Sequence, residues 1–376
     1  MADGRKRVLM IGDGLAGGGA ERQLALLAGA LSSTWDVAVH VLGDGVFAER
    51  LREAGVPLEV SPRSWRLDPL PTLRLWAAIR RLRPHVVHSW GWMSCFAAEP
   101  CCRLLGIPQV SGVIRRGNLP HRRSLPLRLA SRLGVLTVAN SRAGLVAFGV
   151  DPERGRVLPN GLAPDRLARA EACRPAPGGC HVVMAATMDA RKDFGTLVAA
   201  ARILARRRPG EVRVTAIGGG PDLERWRREA ADLVASGAMA FPGRVDEVIE
   251  HAHDATVGVM LSTAIHAEGL SNSIMEFMAC GLPVICTAGG GNPELVVEGE
   301  TGFLVPVGDV EAVVARLEWL VAHPAEAAAM GEAGRRRLTT EFSLSRMVER
   351  AVRIYDEALA RAGRGHPIRA SAPPRR

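Results

Sequence analysis

Aromatic residues make up only 4% of this 376-residue chain, and a single tyrosine is among them. So few rings argue against the stacking platforms that hold single-stranded nucleic acid. No C-x-x-C pair occurs among the seven cysteines, Cys95, Cys101, Cys102, Cys173, Cys180, Cys280 and Cys286. Their odd number, with no secretory leader, points to free thiols in a reducing compartment. No uncharged apolar run approaches the length of a membrane span. The first residues, Met1 to Arg7, lead directly into a strand-like run and do not read as a signal peptide. The expectation is a soluble, cytoplasmic protein. No fixed-period repeat is present.

What is present is basic. The formal net charge is +9, arginine supplies nearly all of it, and lysines are few. Such a balance suits nucleic acid, a membrane surface or anionic small ligands, and no nucleic-acid motif accompanies it. A hydrophobic content of 47%, with 41 glycines and 24 prolines, suits an α/β protein with many tight turns. The length is comfortable for two domains.

Strand-like runs at 7–11, 36–42, 84–88, 109–114, 135–139 and 156–158 alternate with helical stretches at 20–31, 70–82 and 95–105. That alternation predicts a doubly wound parallel sheet. The pattern breaks over 164–180, a Pro-, Gly-, Ala- and Arg-rich stretch that reads as a linker. Strand-like runs resume at 181–185, 212–217, 255–260, 284–286 and 303–305, so 181–340 reads as a second doubly wound domain after the first at 1–163. A helix is expected to follow over 341–362, and the tail 363–376 reads as disordered.

The densest signal is Glu268-Gly-Leu-Ser-Asn-Ser-Ile-Met-Glu276, which runs on into Ala279-Cys-Gly-Leu-Pro-Val-Ile285. A polar, turn-rich start followed by an apolar helix describes a βα loop whose helix N-terminus favours an anion. Eight residues are a little over two helical turns, so Glu268 and Glu276 reach different parts of one elongated ligand. The string continues through Gly289-Gly-Gly-Asn-Pro-Glu294 and Gly299-Glu-Thr-Gly-Phe-Leu-Val305. It resembles the E-x7-E motif of retaining GT-B glycosyltransferases of the family 4 type, the glycosyl transferases group 1. The resemblance implies two Rossmann-like domains facing a central cleft, with the last helix crossing back to the first domain. It implies that Glu268 contacts the donor sugar and Glu276 the ribose. The backbone of Gly269, Leu270, Ser271, Asn272 and Ser273 would then face the diphosphate.

Other residues extend the resemblance. Gly12-Asp-Gly-Leu-Ala-Gly17 matches G-x-G-x-x-G, the dinucleotide pattern. The helix begins too late for that turn, and no acidic residue ends the second strand. The run Gly17-Gly18-Gly19 instead resembles the family's glycine-rich loop, where missing Cβ atoms admit a phosphate or an acceptor. After the strand at 181–185 the family carries an Arg and, five residues on, a Lys. Lys192 matches the Lys, Thr187 occupies the Arg position, and Arg191 is a nearby substitute cation. Many members have a His after the fourth strand; Arg115 lies there instead, and His121 comes only further on. His85, His88 and Trp90-Gly-Trp92 mark a loop that in the family lines the acceptor cleft.

The resemblance therefore implies transfer of a sugar from a nucleoside-diphosphate donor, UDP-sugar by default, to a hydroxyl acceptor with retention. Polysaccharide or glycolipid precursors and secondary metabolites are the acceptor classes. Lys192, Glu268 and Arg115 are the expected catalytic residues. No D-x-D triplet is present, and no metal or other cofactor is expected. The Arg-rich segment Arg115–Arg132, interleaved with Leu and Pro, fits a solvated helix or a peripheral contact with the inner face of the cell membrane. Two alternatives remain: an NAD-dependent oxidoreductase using the Gly12–Gly17 loop, and a catalytically inactive sugar-binding relative.

Overall fold

The computed structural model describes residues 4–64, 68–118, 125–174 and 179–365. His121 and the tail from 366 onward lie outside the described residues, as do parts of the 115–132 and 164–180 segments.

The first domain is a seven-stranded sheet: β1 (Arg7–Gly12), β2 (Asp36–Val41), β3 (Leu58–Val60), β4 (Val86–Ser89), β5 (Gln109–Ile114), β6 (Leu136–Ala139) and β7 (Gly155–Val157). Its order is β3-β2-β1-β4-β5-β6-β7, and every pairing is parallel. The second is six-stranded: β8 (Cys180–Ala185), β9 (Val212–Ile217), β10 (Met239–Gly243), β11 (Val257–Met260), β12 (Val284–Thr287) and β13 (Gly302–Val305). Its order is β10-β9-β8-β11-β12-β13, also parallel. Parallel strands covered by helices on both faces are buried throughout, which is why runs such as Val-Leu-Met-Ile are unbroken by polar residues. Each sheet reverses its winding once, between β1 and β4 and between β8 and β11. Ligand crevices form at the carboxyl ends of strands at such points.

Two strands escape the sequence pattern, and both are sheet edges. β3 is three half-buried residues, and β10 contains Pro242 and Gly243. Proline is tolerated at an edge, where no neighbour needs its missing N–H. The 164–180 stretch is also more structured than a linker. Pro164–Ala170 forms a helix with proline in its first turn and Asp165 at the positive end, and Cys180 already belongs to β8.

After Phe342, which packs in the second domain's core, the chain enters the helix Leu344–Gly365. Met347, Ala351, Ile354, Tyr355 and Ala358 recur at helical spacing and join the first domain's core with Trp35 and Val86. Tyr355 is fully buried; its ring meets Trp35 edge-on, with centroids 5.5 Å apart.

Candidate active site

The cleft is built on the helix Asn272–Ala279, which follows β11. Ser271 caps it, its Oγ accepting from the Ile274 amide at 3.4 Å. The remaining first-turn amides have no partner within the helix. Ser273 Oγ donates to the Ala185 carbonyl at the end of β8 (2.7 Å), which ties this turn to the switch point. Leu270 turns its side chain into the core; only its carbonyl meets the cleft wall, accepting from Asn160 Nδ2 at 2.9 Å.

Lys192, one of only two lysines in the chain, forms an ion pair with Glu268 Oε1. Their side chains are 11% and 14% exposed, so the charges meet away from bulk water. The same oxygen accepts from Ser262 Oγ at 3.3 Å and lies 3.1 Å from His266 Nε2. His266 Nδ1 lies 3.0 Å from Arg116 Nη2. A guanidinium only donates, so Nδ1 is the acceptor and Nε2 carries the hydrogen that faces Glu268. Burial pushes the Glu268 carboxyl up, but Lys192 and His266 together outweigh it and hold it well below the usual carboxylate range.

Arg115 does not join this cluster. Its guanidinium lies over the Trp90 ring, 3.9 Å from the centroid, while Nε donates to the Gly112 carbonyl at 3.2 Å. Both terminal nitrogens are enclosed without a partner, and burial pulls its pKa down to about 9. Arg116 is the residue that faces the second domain, in a backbone bridge with Glu268. Consecutive side chains leaving a strand point to opposite sides, so a one-residue error exchanges core for cleft.

Arg191 is likewise committed elsewhere. Its Nη2 lies 2.6 Å from Asp189 Oδ2, and its Nε reaches the same carboxylate. Thr187 is exposed beside it and offers no charge. The cation that faces the glycine-rich loop is Arg244, at the end of β10. A Cβ at Gly17 would lie 3.1 Å from its Nη2, and one at Gly219 would lie 3.4 Å from its Cβ. Among the described residues no carboxylate pairs with Arg244. The Gly218–Gly220 run after β9 forms the adjoining wall. A Cβ at Gly218, whose φ is +148°, would lie 1.8 Å from the Ala186 carbonyl oxygen, so only glycine lets these loops approach.

Across the cleft, Gly17 and Gly18 precede the helix Gly19–Leu31, Gly19 opens it, and all three are exposed. Asn272 Nδ2 donates to the Gly19 carbonyl at 3.4 Å, and Asn272 Oδ1 accepts from Gln23 and Asn160, each at 3.0 Å. Glu276 is 2% exposed. Its Oε1 accepts from Arg22 of the first domain at 2.7 Å and from Arg166 at 2.5 Å. The second glutamate of the motif is therefore already engaged by two guanidinium groups. Gly117 N donates to the Ala267 carbonyl at 3.0 Å, so the two domains are in contact around Glu268.

The Gly12–Gly17 loop has a different task from a dinucleotide turn. Asp13 accepts from the amides of Ser94 (2.8 Å) and Met93 (3.2 Å), capping the helix Trp92–Leu105. Beside it lies a cavity of about 190 Å³ lined by Asp13, Glu21, Trp90, Trp92 and Leu127.

Arg22, Arg116, Arg166, Arg244 and His266 carry no motif, and sequence reasoning missed them. Only the Gly218-Gly-Gly-Pro221 run after a strand carries a signal, that of a tight glycine turn at the strand's carboxyl end.

Two family models match the chain. The model for glycosyl transferases group 1 covers residues 178–337, and that for glycosyltransferase family 4 covers residues 17–166. The GDP-mannose-dependent alpha-(1-6)-phosphatidylinositol monomannoside mannosyltransferase of Mycobacterium tuberculosis is 35% identical over 285 residues, 72% of this chain and 68% of that protein. Its Mycolicibacterium smegmatis counterpart is 34% identical over 193 residues, 50% of this chain and about half (49%) of that protein. The structure of Anabaena Alr3699/HepE in complex with UDP superposes with a TM-score of 0.78 at 19% identity, over 93% of this chain and 100% of that one. That likeness establishes the GT-B arrangement of the two domains.

Proposed function

Because this chain belongs to the glycosyl transferases group 1 family of GT-B glycosyltransferases, we propose that it moves a sugar from a nucleoside-diphosphate donor to a hydroxyl acceptor with retention. The carrying observation is the Lys192–Glu268–His266 cluster above the open N-terminus of the helix Asn272–Ala279. An anionic leaving group fits there: Lys192, the first-turn amides and Arg244 supply fixed positive charge as the diphosphate departs. No step needs a metal ion or cofactor, since those groups carry the charge. Glu268, held ionised, accepts from donor-sugar hydroxyls. Glu276 takes the ribose, sharing its carboxylate with Arg22 and Arg166. Contact between the domains around Glu268 and Gly117 keeps water from the reacting carbon.

UDP-sugar is the working donor. GDP-sugar is the second reading, carried by the mannosyltransferase relatives. Thermal unfolding with UDP, GDP, ADP, dTDP and NAD separates them, since a ligand that binds the folded state raises the midpoint. A shift with one nucleoside diphosphate assigns the base, and a shift with NAD alone rejects the transferase site.

The acceptor enters on the first-domain side, at the cavity between Asp13, Glu21 and Trp90. A carboxylate and indole faces in a space of this size suit a polyhydroxylated ring. Trp92 and Leu127 line it, and Trp92, Phe96, Leu125 and Leu129 are exposed on the helices Trp92–Leu105 and Leu125–Ala130, which pack together. That apolar patch favours a lipid-linked acceptor presented at a membrane surface. No described helix is long and apolar enough to cross a membrane. Cosedimentation with anionic vesicles tests the contact, and loss of binding in a Trp92→Ala, Leu125→Ala variant is the expected result.

A further inference from the structure

Outside the donor site, two thiols from distant parts of the chain meet. Cys173 follows the helix Pro164–Ala170, and Cys280 caps the helix Asn272–Ala279. They are 107 residues apart in sequence, yet their sulfur atoms lie 2.9 Å apart. Both residues are buried, at 4% and 2% exposure.

We propose that Cys173 and Cys280 are a reversible disulfide-forming pair, a covalent modification site that joins the segment entering the second domain to the helix carrying Glu276. A disulfide needs its sulfurs about 2.0 Å apart. The pair therefore closes by less than about 1 Å, within the reach of a small χ1 adjustment.

The chemistry of the two thiols is asymmetric in the way such a pair requires. The Cys173 thiol is shifted down, chiefly by the hydrogen bond to Cys280, against the opposing effect of burial and with help from the Arg335 and Arg174 charges. The Cys280 thiol is pushed up by the same contact and by burial. Cys173 is thus the first to become a thiolate, and Cys280 keeps its hydrogen. The remaining buried thiols lack this arrangement: burial, with the Glu298 charge, raises Cys286, and burial dominates at Cys95, which stands at about 11.

With a peroxide as oxidant, the Cys173 thiolate attacks one peroxide oxygen. The O–O bond breaks, Cys173 becomes a sulfenic acid and hydroxide leaves. The Cys280 sulfur then attacks the sulfenic sulfur, its proton passes to the departing oxygen, and water leaves as the S–S bond forms. Two thiols are oxidised and one peroxide is reduced. A thiol reductant reverses the step by exchange.

The location gives the modification a structural consequence. The Cys173 amide donates to the Ala170 carbonyl, and the Cys280 amide donates to the Glu276 carbonyl, each at 3.1 Å. Arg166 and Glu276, on these same two helices, are ion-paired. The S–S bond fixes the two helices to each other beside that pair.

The test uses the full chain treated with hydrogen peroxide at neutral pH. Thiols are titrated in denaturant, followed by a non-reducing peptide map. The reduced protein should show all seven thiols, and the oxidised protein two fewer, with the Cys173 and Cys280 peptides linked. The unfolding midpoint should rise by several degrees and return on adding dithiothreitol, because the bond closes a long loop in the unfolded chain. Cys173→Ser and Cys280→Ala should each lack one thiol and lose no pair on oxidation. Two variants guard against one failing to fold. Retention of all thiols at peroxide levels that oxidise a model thiol would overturn the proposal. So would linkage through other cysteines, or a sulfinic acid at Cys173 with no cross-link.

Discussion

Arg22 Nη1 and Glu276 Oε1 lie 2.7 Å apart, joining an arginine of the first domain to a glutamate buried in the second. Arg166 approaches the same oxygen at 2.5 Å. Removing this carboxylate leaves the enclosed Arg22 guanidinium without a carboxylate and leaves Arg166 with Glu247 alone, 3.2 Å away. Glu276→Ala should therefore cost about 3–5 kcal/mol of stability in addition to weakening nucleotide binding. Arg22→Ala should cost less, because Arg166 stays on the carboxylate. Urea unfolding of both variants decides this, and equal losses would show that Arg166 contributes nothing.

Lys192 faces Glu268 and the open helix N-terminus. Lys192→Ala should lower turnover about a hundred- to a thousand-fold, the scale for deleting one preorganised charge at a leaving group. Measured with saturating nucleotide-sugar, unchanged kcat would remove Lys192 from the chemistry.

Arg244 is exposed and packs between Gly17 and Gly219 with no carboxylate partner among the described residues. Its loss should leave the fold intact. If it takes up the charge that Thr187 does not provide, Arg244→Ala should weaken nucleoside-diphosphate affinity about ten- to a hundred-fold. Arg191→Ala should have a much smaller effect, because Asp189 already holds that guanidinium. Calorimetric titration of both variants with the diphosphate compares the two cations directly, and the reverse ranking would restore Arg191 to the site.

The sheets were legible because parallel strands bury both faces and leave unbroken apolar runs, with glycine and proline marking the turns. β3 and β10 were not, because an edge strand needs neither length nor an apolar run. In the site, the contiguous part was readable: Glu268, Lys192 and the small residues 269–273 stand in one or two strings. The residues that complete it come from afar. Arg22 and Glu276 are 254 positions apart, and Arg166 and Glu276 are 110 apart. In a chain so rich in arginine no local feature distinguishes these from solvated ones. Arg115 was expected in the site, and Arg116 is the neighbour that reaches Glu268 and His266. The strand ends at Ile114, as the sequence indicates, but alternation sends the next two residues to opposite sides, and the sequence does not show which of them faces the cleft.

His88 gives the protein a pH dependence on its acid side. The imidazole is buried between β4 and the helix Leu344–Gly365, with Nδ1 2.8 Å from the Tyr355 hydroxyl and Nε2 unpartnered. Burial, and then the Arg115 charge, hold its pKa well below the ordinary value of 6.5. The folded protein keeps this ring neutral, whereas the unfolded chain protonates it near pH 6.5. Below that pH the unfolded state binds the extra proton, so stability falls as pH falls. Above it the residue makes no pH-dependent contribution. The slope from one such group approaches about 1.4 kcal/mol per pH unit. His40, His85 and His181 are shifted in the same direction and add to the total. The discriminating quantity is therefore the difference between wild type and His88→Asn, which keeps a polar side chain near Tyr355 but does not titrate. Unfolding free energies between pH 6.5 and 5 should fall more steeply for wild type by up to one proton. Equal slopes would mean that folded His88 accepts a proton as readily as the unfolded chain does, and that the ring is not sealed beneath the last helix.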